Sequence, residues 1–162
     1  VSPPLVAALA LLGAFVVQSG LSLVGPAAAR LVDPLLVVAV VVALARGEVW
    51  GMVVGAAAGW VLDAHFGGTV LGLAGLSRML VGFVVGFAAA RLLLLGPGSR
   101  LAVLAAATVL DARGLEWLAA SFDVGVPTLP ALPLAGRALL NALLGAALYG
   151  PLEPRLRAER AR

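Results

Sequence analysis

Six ionisable side chains and one amide interrupt the long apolar runs of this sequence: Asp63, Arg78, Asp111, Arg113, Glu116, Arg137 and Asn141. Paired carboxylates can work as acid and base, and buried carboxylates in a membrane can relay protons. Neither a nucleophile–base pair nor a metal-ligand set accompanies them. The chain has no cysteine and one histidine, His65. Thiolate chemistry, Cys-based metal sites and a His-pair zinc site are therefore excluded. His65, beside the Gly67-Gly68 pair, reads as a surface residue. No enzyme activity and no cofactor are expected.

What these groups must do is neutralise one another. A charge at the centre of a membrane helix costs about 2.5–3.5 kcal/mol on insertion scales, so it faces the bundle interior and pairs. Arg78, Arg113 and Arg137 stand against Asp63, Asp111 and Glu116. Arg137 and Asn141 are four apart and share a helix face. All seven are expected in one polar cluster in the outer half of a bundle. Arg78 is expected to snorkel back across a turn to Asp63. A second placement is open for Asp111, Arg113 and Glu116: the outer headgroup layer, with Trp117 as an interface anchor.

The elements that position these groups follow from composition. The 162 residues are 62% hydrophobic and 12% charged, with 11 basic residues, all arginine. Soluble domains average roughly 25% charged residues, so the solvent of this chain is expected to be lipid. The net charge of +3 comes without a basic groove interleaved with aromatics, and nucleic acid is not an expected partner.

A membrane helix needs about 20 apolar residues. Apolar runs cover residues 4–24, 34–45, 49–62, 70–95, 100–122 and 134–152. The first lacks a basic leader and a cleavage site and reads as a retained helix. The second is short and either tilts or draws on residues from Ala27 onward; a re-entrant hairpin of the second and third is the other option. Residues 63–68 read as a turn. Residues 124–133, with three prolines, are not expected inside a helix. The fold class expected is an all-α membrane protein, a six-transmembrane-helix bundle over residues 1–152. A short basic cytoplasmic tail follows at 153–162. Arg46, Arg91, Arg100, Arg155, Arg157, Arg160 and Arg162 then lie on one side, against Arg30 and Arg113 on the other, which predicts both termini inside.

One run, 47–63, has glycine at every fourth position: Gly47, Gly51, Gly55 and Gly59, with Asp63 at the next step. Small residues at this spacing let two helix backbones approach closely in lipid. Gly82 and Gly86 repeat the spacing on the fourth run. The row is expected to pack against that run, against a second copy of the chain, or against a partner protein.

Asp33-Pro34 opening an aliphatic run, the row Gly51, Gly55, Gly59, Asp63, then Gly67-Gly68, Leu71-Gly72, Gly82-Phe83, Gly86 and a late Asn141 before a basic tail together resemble the rod shape-determining membrane protein MreD family. The likeness is best over residues 33–91. It implies a non-enzymatic inner-membrane scaffold of the bacterial elongation complex that organises lateral peptidoglycan synthesis. The implied partner is the single-span protein MreC, with MreB filaments, RodA and a class B penicillin-binding protein joined indirectly. It also implies a fold similar to the substrate-binding subunits of energy-coupling-factor transporters, whose small-residue spacing Ala10 and Ala14 share here. The alternative is accordingly a vitamin-type, small-molecule substrate-binding subunit of a membrane transporter.

Overall fold

The computed structural model describes residues 2–66, 70–92, 97–126 and 128–157. Their regular structure is entirely helical. The helices are α1 (Pro3–Val24), α2 (Pro26–Leu31), α3 (Pro34–Arg46), α4 (Glu48–Phe66), α5 (Leu73–Leu92), α6 (Pro97–Ser121) and α7 (Ala131–Arg157). Five stretches among the described residues are long and apolar enough to cross a membrane: Pro3–Val24, Ala27–Arg46, Glu48–Phe66, Leu73–Arg91 and Ala131–Leu156. The chain is an all-α, multi-pass membrane protein. Helix α6, at 25 residues, has the length of a span but carries Asp111, Arg113 and Glu116 in its second half.

Helix α3 is the axis of the bundle. It has no polar residue between Pro34 and Ala45, and all of these residues are buried. A helix that is apolar all round belongs inside, and α1, α4, α5 and α7 pack around it. Its two ends differ in kind. Pro34 starts it, where a missing N–H costs nothing. Gly47 alone separates it from α4, at φ +90°, a left-handed conformation that glycine adopts without a Cβ penalty. The short second run therefore is extended at its N-terminal side by α2, and the pair is broken at Val32-Asp33.

Several boundaries move. Asp63 to Phe66 continue α4 rather than forming a turn, while Gly67 and Gly68 lie outside the described residues. Pro133 sits within the first turn of α7, where proline is tolerated. Helix α7 also runs on to Arg157, with Pro151 and Pro154 inside it. Residues 153–157 are thus not a free tail. Leu156 is buried, and its carbonyl accepts from Arg46 Nη1 at 2.9 Å. Residues 158–162, with Arg160 and Arg162, lie outside the described residues.

The glycine row zips α4 onto α5. A Cβ at Gly51 would overlap the carbonyl of Gly82, one at Gly55 that of Arg78, and one at Gly59 that of Ala74. A Cβ at Gly86 would strike the backbone at Gly47 and Glu48. These pairs run in opposite directions along the two helices, which fixes α4 and α5 as antiparallel. The packed row is Gly51, Gly55, Gly59, Gly82 and Gly86. Gly47 is the hinge before it, with open space where its own Cβ would stand. Because another backbone of the same chain fills the row, it is closed to a second copy or a partner. Ala10 and Ala14 on α1 are likewise packed into the core.

Candidate functional site

The buried charges meet at the start of α3. Asp33 is the N-cap of that helix, and its Oδ1 accepts from the Leu36 N–H at 3.0 Å. Capping a helix with a carboxylate satisfies orphan donors and suits the positive end of the helix dipole. Since α3 is central, its cap is central too, and Asp33 is 2% exposed. A buried carboxylate needs compensation. Its Oδ2 receives it from two other helices. Arg78 Nη2 of α5 forms a short ion pair with it, and Arg137 Nη2 of α7 reaches it at 2.6 Å.

The network continues into α6. Arg78 Nε lies 3.7 Å from Asp111 Oδ2, and the Ser77 hydroxyl donates to Asp111 Oδ1 at 3.0 Å. The Asp33 backbone N–H donates to Asn141 Oδ1 at 2.8 Å. Asn141 Nδ2 in turn donates to Thr108 Oγ1 at 3.2 Å, and the Thr108 hydroxyl donates to the Leu104 carbonyl. Two carboxylates, Asp33 and Asp111, thereby balance two guanidinium groups, Arg78 and Arg137. The set ties α3, α5, α6 and α7 at one level.

The seven residues expected to cluster divide into three groups. Arg78, Asp111, Arg137 and Asn141 come together. Asp63 is buried but stands apart: its Oδ2 accepts from the backbone N–H groups of Gly72 at 2.9 Å and Ala74 at 3.0 Å. It caps α5 instead of pairing with Arg78, whose guanidinium goes to Asp33 and Asp111. Arg113 and Glu116 lie at the surface as an i,i+3 pair at 2.6 Å. Glu116 Oε1 also accepts from the Leu129 N–H at 3.2 Å, and Arg113 Nη2 donates to the Leu129 carbonyl at 3.3 Å. Their work is to fasten the proline-rich segment before α7 onto α6. Trp117, 70% exposed beside them, has the setting of an interface anchor.

Asp33, Ser77 and Thr108 are the network members not anticipated from the sequence. Asp33 carried a signal. An Asp-Pro step ahead of a wholly apolar run marks the cap of a core helix. Ser77 and Thr108 had none, since hydroxyls in apolar helices are common.

Above the network a cleft of about 510 Å³ opens between the ends of α4 and α6 and the starts of α5 and α7. Arg30, Arg78, Asp111, Glu116 and Arg137 contribute its charged side, and Leu62, Leu115, Val126 and Leu129 its apolar walls. A hollow of about 490 Å³ adjoins it, lined by Gln18, Ser22, Arg30, Asp33 and Arg137 among others. His65 is turned to neither. Its ring lies edge-on to Phe15 at 4.7 Å and to Phe66 at 4.9 Å.

The opposite end of the bundle holds Arg46, Arg91, Arg100 and Arg155. Arg46 stacks over Trp50 at 4.5 Å and Arg100 over Tyr149 at 4.1 Å. Among the described residues, no three His, Cys, Asp or Glu side chains converge as a metal site. The chain matches no family model, no characterised protein and no solved structure.

Proposed function

We propose that this chain is a scaffold of the bacterial elongation machinery. In this reading it is non-enzymatic, resides in the cytoplasmic membrane with both termini inside, and binds an MreC-like single-span protein. The observation that carries the reading is what the family-like residues are used for. Asp33, Asp63 and Asn141 fasten helices to one another, and Gly51, Gly55, Gly59, Gly82 and Gly86 bring two backbones into contact. Residues spent on holding a rigid bundle suit a docking platform. The orientation is supported by Arg46, Arg91, Arg100 and Arg155 at one end of the bundle against Arg30 and Arg113 at the other, where Arg78 and Arg137 are neutralised within the bundle by Asp33 and Asp111. With the glycine row filled from within, the partner meets some other face. Expression with the neighbouring reading frames, affinity purification and mass identification test this. A single-span coiled-coil protein with cell-wall elongation enzymes is expected, and recovery of the chain with none of them contradicts the reading.

The second reading, a small-molecule carrier subunit, draws on one observation, the cleft of about 510 Å³ with charged and apolar sides. Sites for small ligands are concave, mostly apolar and furnished with a few convergent polar groups. A vitamin-like compound retained through purification, with a transporter subunit in the same eluate, would favour it over the scaffold.

A further inference from the structure

Asp33 and Asp111 balance Arg78 and Arg137, but among the described residues the charge of Arg30 and some guanidinium donors at the cleft have no partner. Arg137 spends Nη2 on Asp33, yet its Nε is buried without a hydrogen-bond partner. Arg78, 1% exposed, lines the cleft and also leaves Nη1 unpartnered. Arg30, at the end of α2, is exposed and has no carboxylate within ion-pair range among the described residues. The two carboxylates on the cleft wall are already engaged. Asp111 takes Ser77 and Arg78, and Glu116 takes Arg113 and the Leu129 N–H.

Arg30 and Arg137 line both the cleft and the hollow beside it, so they stand at the junction of the two spaces. Guanidinium groups present planar forks of donors that match the oxygens of phosphate. Arg30 is exposed and the Arg137 side chain is 18% exposed, so both can present such a fork to the junction. The remaining walls are apolar, and the cleft lies at the end of the bundle, where the Arg113–Glu116 pair and Trp117 mark the polar boundary.

We propose that Arg30 and Arg137 clamp a phosphate group at this junction, with Arg78 adding its charge from the floor. The phosphate is either free or borne on a lipid headgroup. In the second case an attached chain lies along Leu115, Val126 and Leu129. This inference rests on the cleft and not on the scaffold reading, and it stands or falls separately from any partner protein.

The test is a titration of the full chain in nonionic micelles, read by native mass spectrometry. The probes are phosphatidylglycerol, phosphatidylcholine and inorganic phosphate. Phosphatidylglycerol is expected to bind at least about tenfold more tightly than phosphatidylcholine, because only the former carries a net charge for Arg30 and Arg137. Arg30→Gln, which disturbs no ion pair within the protein, is expected to weaken phosphatidylglycerol about tenfold, with Arg30→Lys restoring part of the loss. Competition by millimolar inorganic phosphate assigns the site to the free ion, and bound lipid that resists such competition assigns it to the headgroup. Equal retention of the two lipids with no binding of inorganic phosphate, or binding of the preferred probe unchanged in Arg30→Gln, overturns the proposal. So does failure of both phosphatidylglycerol and phosphate to bind.

Discussion

Asp33 and Arg78 are 45 residues apart in the chain and form an ion pair in which the side chains are 3% and 1% exposed. Asp33 also holds Arg137 and the start of α3, so a single side chain joins three helices. Removing one partner of a buried pair leaves an uncompensated charge and costs about 3–5 kcal/mol. Asp33→Asn is therefore expected to lower the unfolding midpoint in detergent severely. Arg113→Gln, at an exposed pair, is expected to change stability by less than about 1 kcal/mol. In a double-mutant cycle, Asp33→Asn with Arg78→Met should be markedly less damaging than the sum of the single changes. Additive losses would mean that the pair is not coupled.

The glycine row makes a directional prediction. Gly55→Leu places a side chain against the Arg78 carbonyl, whereas Ala57 points outward and is exposed. Size-exclusion profiles of tagged variants are expected to show loss of the monodisperse species for Gly55→Leu and retention for Ala57→Leu. Gly136, on the outer side of α7, has open space where a Cβ would go. Gly136→Ala is expected to be neutral or to stabilise by up to about 1 kcal/mol through helix propensity. Equal tolerance at positions 55 and 57 would remove the close-packing account.

Asp63 acts locally. As the cap of α5 it satisfies the Gly72 and Ala74 N–H groups, and loss of a cap costs about 0.5–2 kcal/mol. Asp63→Ala is expected to speed amide exchange at Gly72 and Ala74 while leaving α7 protected. Asp63→Asn, which keeps an acceptor oxygen, is expected to be milder. If Asp63 instead held Arg78, exchange would rise at the start of α7 as well.

Glu116 joins α6 to the segment before α7 through the Leu129 N–H. Glu116→Gln is expected to raise exchange at Leu129 with global stability changed by less than about 1 kcal/mol, since the pair with Arg113 is exposed. Salt is expected to have the same local effect in the wild type, because screening weakens exposed pairs far more than buried ones.

The apolar runs located the long helices because hydropathy and helix length are properties of local sequence. The close fit of α4 on α5 was legible for a related reason. Gly51, Gly55, Gly59, Gly82 and Gly86 repeat at one helical spacing, and few contexts in lipid demand that. Depth in the bundle was harder to read. Asp33 beside Pro34 has the local chemistry of a cap in a polar connection, and only its attachment to the central helix makes it a buried hub. Asp63 went the other way. Its charge suggested a cluster member, but the nearby start of α5 offers the backbone N–H groups of Gly72 and Ala74, which satisfy it. Arg113 and Glu116 are three apart on one helix and satisfy each other at the surface, so nothing draws them inward. The extension of α7 to Arg157 was hidden by Pro151 and Pro154, which usually end helices.

The central claim, that this chain is a rigid platform for cell-wall elongation, is tested most directly by cell shape after depletion in the source cell. Rods are expected to round up on depletion, and to be restored by the wild type, Ala57→Leu and Arg113→Gln but not by Asp33→Asn or Gly55→Leu. Rods that keep their width and length without the protein would contradict the claim.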